Sequence, residues 1–213
     1  MSDVDSGPPR GGTVVIGLTG PIGCGKSTVA GWLRELGAAA VDADDVTRDV
    51  TAPGEPAHDL ILERFGDVVR MHDGTVDRRG LARIVFTDPR RLAELEAIVH
   101  PAVRPRILAA IDAARADAAP AVVIEAIKLV EGGLAALCDE VWLITCTSEA
   151  QRERVLDRGA DPEDAERRIA GQAGITARLR PAATRVVDTT GPLVDARARV
   201  LSAWDEAVGS VSS

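Results

Sequence analysis

The chain has 213 residues, which is enough for one sizeable domain with a buried core. Its formal net charge of −8 and its few aromatic residues argue against a nucleic-acid-binding surface, because such a surface needs clustered cations and aromatic side chains on which bases stack. No apolar run approaches the roughly 18 residues of a membrane span, and the three scattered Cys suit a reducing compartment better than a disulfide framework. We therefore expect a cytoplasmic monomer that binds neither nucleic acid nor membranes.

The first predicted elements surround a phosphate-binding pattern. Residues 1–12, rich in Gly, Pro, Ser and Asp, are expected to be a disordered leader. Residues 13–18 form an apolar run typical of a buried strand, and residues 28–36 follow a helical pattern. Between the two, the pattern G-x-x-x-x-G-K-[ST] is matched without a mismatch by Gly20-Pro21-Ile22-Gly23-Cys24-Gly25-Lys26-Ser27.

Each part of this loop suits a bound polyphosphate. Its glycines let the chain wrap around an anion with N–H groups pointing inward, and the N-terminus of the next helix adds a positive field. Lys26 is expected to reach the β- and γ-phosphates, and the Ser27 hydroxyl to ligate Mg²⁺. The sequence contains no Asn, so the N-K-x-D motif of GTPases is excluded. The residues expected to bind the nucleotide are Gly20, Ile22, Gly23, Cys24, Gly25, Lys26, Ser27 and Thr28.

An acidic cluster closes the second predicted strand, residues 38–43. Asp42 and Asp44 are two residues apart, so their side chains point to one side if the strand persists. A carboxylate at Asp44 would orient or deprotonate an acceptor hydroxyl, or bind a metal through water. The alternative is that Asp44 or Asp45 caps the helix that follows.

The rest of the chain predicts a helical insertion within an α/β sheet. Residues 45–117 lack a comparable strand, and several Pro and Gly, Pro101 and Pro105 among them, are expected to break their helical patterns. Three more strands are predicted later, and a last helix at residues 193–208. Strands separated by helices form a parallel sheet, and ligands gather at the carboxyl ends of its strands. The three later strands are residues 121–125, 140–145 and 185–188.

Cations at two further places are candidates for contact with anionic groups. Lys128, which follows the third strand, is one of only two Lys in the chain and could meet an anionic substrate; alternatively it pairs with Glu131 on the surface. Arg154 and Arg158 share a helix face and are expected to neutralise a transferring phosphoryl group when a mobile flap closes. The alternative for these arginines is pairing with acids on their own helix.

In order and spacing, these motifs resemble those of one family, the dephospho-coenzyme A kinases. The loop G-L-T-G-P-I-G-C-G-K-S-T is similar to the family's G-L-T-G-G-I-G-S-G-K-S-T. Residues 42–48 resemble D-A-D-x-I-x-R, residues 76–86 resemble I-D-R-x-x-L-x-x-x-V-F, and residues 95–101 match L-E-x-I-x-H-P. The segment that ends at Gln172 resembles R-I-x-x-Q.

The resemblance implies ATP-dependent phosphorylation of the ribose 3′-hydroxyl of dephospho-coenzyme A, with ATP and Mg²⁺ as cofactors. It implies one P-loop kinase domain over residues 13–208, with a helical substrate subdomain at about 45–117 and a lid at about 154–180. Asp44 matches the acid that acts on the acceptor hydroxyl. The matching positions on the substrate side are Arg48, Arg78 and His100; for His100 the alternative is a helix-end histidine held by packing.

Two departures from the family pattern keep other functions open. Lys128 replaces an apolar residue, and residues 183–191 lack the usual Asp and Asn. A kinase of another small alcohol or nucleotide is therefore one alternative, and a nucleotide-binding regulator without transfer activity is another. Within the loop, Cys24 replaces a serine, and a lowered thiol pKa is expected there because a helix N-terminus follows.

Overall fold

A five-stranded sheet with helices around it forms the core of the protein. The computed structural model describes residues 12–209, so the expected leader lies outside the described residues except for Gly12. The strands have the order β2-β3-β1-β4-β5, and β1 pairs in parallel with both β3 and β4, as β4 does with β5. The predicted α/β fold is confirmed. The strands are β1 (Val14–Thr19), β2 (Ala39–Asp42), β3 (Ala121–Glu125), β4 (Glu140–Thr145) and β5 (Arg185–Asp188).

Helices fill the connections between the strands. One helix lies between β1 and β2, four lie between β2 and β3, three lie between β4 and β5, and the last follows β5. Within the described residues none is long and apolar enough to cross a membrane. The helices are α1 (Lys26–Glu35), α2 (Ala43–Val50), α3 (Pro56–Phe65), α4 (Arg78–Val85), α5 (Pro89–Ala116), α6 (Ser148–Asp157), α7 (Pro162–Ala170), α8 (Ile175–Leu179) and α9 (Leu193–Gly209).

The first compact unit contains the sheet except for the last residue of β2, and its described residues are 12–41 and 111–209. Every residue of β1 and of β3 is buried, which is the pattern of parallel strands covered on both faces. Leu33 of α1 and Val200 of α9 are fully buried in the same apolar cluster as Trp142 of β4. The phosphate-binding loop therefore follows the central strand of the sheet, β1.

The second compact unit, residues 42–110, is helical and has a core of its own. Its apolar cluster includes Ile61 and Phe65 of α3 and Leu81 and Val85 of α4. The assignment of this part of the chain to substrate binding stays a prediction.

The expectation that Pro101 and Pro105 break the helical pattern is wrong, because α5 continues through both. The two prolines are exposed and four residues apart, so the carbonyl groups that lose a helical partner lie on one solvent-facing side. Val103 and Ile107, on the other side of the helix, are buried. Burial of this apolar stripe offsets the cost of the missing hydrogen bonds.

Candidate active site

The phosphate-binding loop connects the carboxyl end of β1 to the N-terminus of α1. Gly20, Gly23 and Gly25 have φ values of 139°, 77° and 86°, which residues with a side chain rarely adopt. Gly25 is the N-cap of α1, so the unpaired N–H groups of the first helical turn are directed at the loop. This backbone has the form that the sequence pattern predicts for an anion cradle.

Gly20 also allows a close approach of the loop to β4. A Cβ at Gly20 would lie 2.1 Å from the Ile144 carbonyl oxygen, and this backbone atom cannot move cheaply. We expect Gly20→Ala to lower the free energy of unfolding by at least about 2 kcal/mol, since positive φ alone costs about 1–3 kcal/mol. Urea denaturation measures the loss.

Gly31 provides the matched control for that substitution. It lies within α1, and a Cβ there would meet nothing within 4 Å. We expect Gly31→Ala to raise the free energy of unfolding by about 0.5–1 kcal/mol, because Ala favours the helix. Equal stability of the two variants would contradict this account of the loop.

The Lys26 ammonium is held at the loop itself. The residue is buried, with 8% of its surface exposed, and its Nζ donates to the carbonyl oxygens of Gly20 at 2.9 Å and of Pro21 at 3.1 Å. The positive charge thus lies beside the glycine-rich backbone that would surround a phosphate. This position suits the predicted role of Lys26, which stays a prediction.

Ser27 is paired with an acid at the end of β3. Its hydroxyl donates to Glu125 Oε1 at 2.8 Å, and Glu125 is buried. In residues 12–209 there is no group of three or more His, Cys, Asp or Glu that could hold a metal. Mg²⁺ needs no such group, because one or two protein oxygens with waters and substrate phosphates usually bind it. The Ser27–Glu125 pair fits this donor set.

The expectation of free cysteines is wrong for two of the three, because Cys24 and Cys146 form a disulfide. They are 122 residues apart in sequence, and their Cα atoms lie 5.2 Å apart. The parallel pairing of β1 with β4 brings them together, since Cys24 follows one strand and Cys146 the other. A disulfide-bonded Cys24 has no thiol to ionise, so the expected lowered thiol pKa does not apply to this state.

Two glutamines hold the loop at Ile22. The Ile22 N–H donates to Gln172 Oε1 at 2.7 Å, and Gln151 Nε2 donates to the Ile22 carbonyl at 2.9 Å. Gln151 belongs to α6, and Gln172 follows α7. The hydrogen bonds of Ile22 therefore join the loop to α6 and to Gln172 of the predicted lid, whereas the sequence prediction placed Ile22 among the nucleotide ligands.

Arg154 and Arg158 line one cavity beside the loop, with a volume of about 640 Å³. Gly25 and Trp32 contribute to its wall. The Arg154 guanidinium donates to the Thr189 hydroxyl at 3.0 Å and to the Thr189 carbonyl at 2.7 Å. Arg154 is thus held by the segment after β5 rather than by the acids of its own helix.

The other arginines of this region are paired with acids. Arg152 meets Glu166 of α7 at 2.5 Å. Arg167 and Arg168 both contact Asp164 on their own helix, at 2.8 Å and 2.6 Å. The hydrogen bond from Arg167 is the main cause that lowers the pKa of the Asp164 carboxyl. Pairing within one helix, which was the alternative for Arg154 and Arg158, is thus found at Arg167 and Arg168, where it was not predicted.

In the helical unit, Asp42 rather than Asp44 or Asp45 caps α2. Its carboxylate accepts the N–H groups of Asp44 at 2.8 Å and of Asp45 at 3.3 Å. Asp45 is paired with Arg48. The capping alternative is therefore wrong for Asp44, whose exposed side chain lies in the first turn of the helix.

The three other residues predicted for the acceptor have different surroundings. Arg78 donates to the Arg48 carbonyl at 3.1 Å and to the Thr51 hydroxyl at 2.9 Å. His100 is half-buried in the middle of α5, so the alternative of a helix-end histidine is wrong. Lys128 is exposed in the turn after β3. Their binding roles stay predictions.

Comparison with known proteins identifies the family. The sequence profile of the dephospho-CoA kinases (CoaE) matches residues 14–195. The chain belongs to the dephospho-CoA kinase family. A dephospho-CoA kinase of Symbiobacterium thermophilum is 45% identical over 92% of this chain and 82% of its own length, and one of Moorella thermoacetica is 44% identical over 90% and 91%. The crystal structure of TT1252 from Thermus thermophilus is 34% identical, with a TM-score of 0.77, over 90% of this chain and 96% of that chain.

Two threonines stand where the dephospho-CoA kinase pattern has Asp and Asn. Thr184 accepts the N–H of Val141 at 2.9 Å and donates to its carbonyl at 3.2 Å, so it joins β4 to the start of β5. Thr189 is buried and donates to the Cys24 carbonyl at 2.8 Å. Both replacements therefore have local hydrogen-bonding roles.

Four residues around the loop were absent from the predicted site. Three of these positions had sequence signals: a glutamine in the family's R-I-x-x-Q motif, an acid at a strand end, and a threonine in place of the family's Asn. Gln151 had no signal, because its partner is a backbone carbonyl distant in sequence. These residues are Glu125, Gln151, Gln172 and Thr189.

Proposed function

We propose that this chain transfers the γ-phosphoryl group of ATP to the ribose 3′-hydroxyl of dephospho-coenzyme A, which gives coenzyme A and ADP. The observation that carries the proposal is an intact phosphate-binding loop, with Lys26 and the Ser27–Glu125 pair in place, in a member of the dephospho-CoA kinase family. We also infer a cytoplasmic monomer that acts without nucleic acid or membranes.

On the donor side, the loop N–H groups and Lys26 would hold the phosphates, and Ser27 with Glu125 would hold the metal. Mg²⁺, when bound, would neutralise part of the negative charge on the phosphates. The cavity that Arg154 and Arg158 line beside Gly25 would take the rest of the nucleotide. Their guanidinium groups stabilise negative charge that develops during transfer.

On the acceptor side, Asp44 would accept the proton of the 3′-hydroxyl. The oxygen of that hydroxyl would bond to the γ-phosphorus while the bond between the γ-phosphorus and the ADP oxygen breaks. The anionic acceptor suits cationic partners, for which Arg48, Arg78, His100 and Lys128 are the candidates. A kinase of another small alcohol or nucleotide is the second candidate function, and Lys128 is the departure that favours it.

Product analysis tests the proposal. The purified protein is incubated with Mg-ATP and dephospho-coenzyme A, and coenzyme A is expected by mass spectrometry, in an amount equal to the ADP formed. Adenosine and shikimate serve as comparison acceptors. ATP binding without any coenzyme A, or faster transfer to another acceptor, would overturn it.

Ser27→Ala tests the metal site. We expect the Mg²⁺ concentration for half-maximal rate to rise about tenfold or more, since one of few protein oxygens is lost. Thr28→Ser is the control, because it alters the neighbouring side chain and keeps its hydroxyl. Turnover is measured against Mg²⁺ at saturating ATP, and an unchanged requirement in Ser27→Ala would contradict the role of Ser27.

A further inference from the structure

The disulfide between Cys24 and Cys146 places a redox-active bond within the nucleotide-binding machinery. Cys24 belongs to the phosphate-binding loop, and Cys146 immediately precedes Thr147, the N-cap of α6. Helix α6 carries Gln151 and Arg154, which bond to Ile22 and Thr189. The disulfide is therefore a covalent tie between the loop and the base of the predicted lid.

The two cysteines differ in exposure. Cys24 has no exposed surface, whereas Cys146 is half-buried. Cys146 is therefore the residue that a thiolate from solvent would approach. Cys24 would be the leaving group, and it directly precedes Gly25, the N-cap of α1, where unpaired N–H groups favour a thiolate. A leaving thiolate that its surroundings stabilise departs faster, so the exposure of Cys146 and the position of Cys24 favour the same direction.

We propose that Cys24 and Cys146 form a thiol–disulfide exchange site for low-molecular-weight thiols and disulfides, with Cys146 as the sulfur attacked and Cys24 as the resolving thiol. In the reductive direction, an external thiolate bonds to Cys146 Sγ and the bond to Cys24 breaks, which leaves a mixed disulfide and a Cys24 thiolate. A second external thiolate then releases Cys146 as a thiolate and leaves with the first as a disulfide. In the oxidative direction, the Cys146 thiolate attacks a low-molecular-weight disulfide, whose S–S bond breaks so that one half leaves as a thiolate and the other stays on Cys146. The Cys24 thiolate then attacks Cys146 Sγ and expels that second half as a thiolate.

The proposed cellular location supports exchange rather than a permanent bond. Cytoplasmic disulfides are rare, and those present are usually catalytic or redox-sensing. The third cysteine provides an internal contrast. Burial, with a smaller contribution from Asp139, raises the pKa of the Cys138 thiol to about 12, and this thiol donates to the Leu134 carbonyl at 3.4 Å. Cys138 is therefore expected to stay unreactive.

Wild-type protein tests the direction of attack without a substitution. The oxidised protein is exposed briefly to reduced glutathione, denatured in excess N-ethylmaleimide and mapped by peptide mass spectrometry. We expect glutathione on Cys146, and maleimide without glutathione on Cys24 and Cys138. Glutathione on Cys24, or no exchange when unfolded protein reacts under the same conditions, would overturn the proposal.

Variants test the resolving role of Cys24. With oxidised glutathione, C24S is expected to keep one stable adduct on Cys146, whereas reduced wild-type protein ends as the internal disulfide. C146S is expected to gain no adduct, and C138S to behave as wild type. Circular dichroism confirms that each variant is folded. After treatment with oxidised glutathione, a stable adduct on Cys146 of the wild-type protein, or any adduct on C146S, would contradict the assignment.

The effect on nucleotide binding rests on the proposed function and is measured separately. Because the disulfide preorganises the loop, we expect reduction of the wild type to weaken Mg-ATP binding about threefold to tenfold, and oxidised glutathione to restore it. Equal affinity in the two states would overturn this coupling. Failure to bind ATP in either state would instead contradict the proposed function, since the exchange experiments require no nucleotide.

Discussion

Asp44→Asn is expected to lower kcat at least about a hundredfold while the affinity for ATP stays unchanged. The substitution keeps the size of the side chain but removes the carboxylate that would accept the proton of the acceptor hydroxyl. Asp42 rather than Asp44 caps α2, so the helix keeps its N-terminal hydrogen bonds in the variant. The loss is therefore expected in turnover and not in folding.

Asp45→Asn is the matched control for this prediction. It makes the same change of charge one residue later, in the same helical turn, at a carboxylate that pairs with Arg48 on the surface. Exposed ion pairs contribute little, so we expect less than about a threefold change in kcat. Steady-state rates with both substrates, together with ATP titrations, distinguish the variants. Normal turnover in Asp44→Asn would exclude Asp44 from the reaction.

Lys26→Met is expected to lower kcat about a hundredfold to a thousandfold, since the loss of one preorganised stabilising group has effects of that size. Met keeps the unbranched, flexible shape but lacks the ammonium that donates to the carbonyls of Gly20 and Pro21. Denaturation in urea, measured in parallel, separates a loss of stability from a loss of transfer.

Lys128→Met is the companion substitution, because it removes the other lysine of the chain. If Lys128 binds the acceptor, the KM for dephospho-coenzyme A rises and the KM for ATP does not. A fall in kcat as large as that of Lys26→Met would contradict the separation of donor and acceptor roles. Both variants are assayed with each substrate varied in turn.

The sheet was the most predictable part of this protein. β3, β4 and β5 have the bounds predicted from their short apolar runs, and each of them begins directly after a polar or turn-forming residue: Pro120, Asp139 or Thr184. The glycine pattern of the loop also determines its backbone, since positive φ at Gly20, Gly23 and Gly25 excludes most other residues. For these strands and this loop, the local sequence is sufficient to predict the backbone conformation.

Features that depend on distant residues were less predictable. The Cys24–Cys146 bond follows from the neighbouring positions of β1 and β4, which the spacing of cysteines in sequence does not reveal. The cap of α2 depends on where the backbone leaves the extended conformation, and this occurs at Asp42. The course of α5 through Pro101 depends on burial of its opposite side.

The two glutamine bonds at Ile22 restrict how the predicted lid could open. Gln172, beyond α7, accepts the N–H of Ile22, and Gln151 of α6 donates to the carbonyl of the same residue. A hinge located after Gln151 would leave the bond to the carbonyl intact and break the bond to the N–H. Opening of the lid by such a hinge would therefore release the Ile22 N–H, so that access to the donor site and the shape of the phosphate-binding loop change in the same movement.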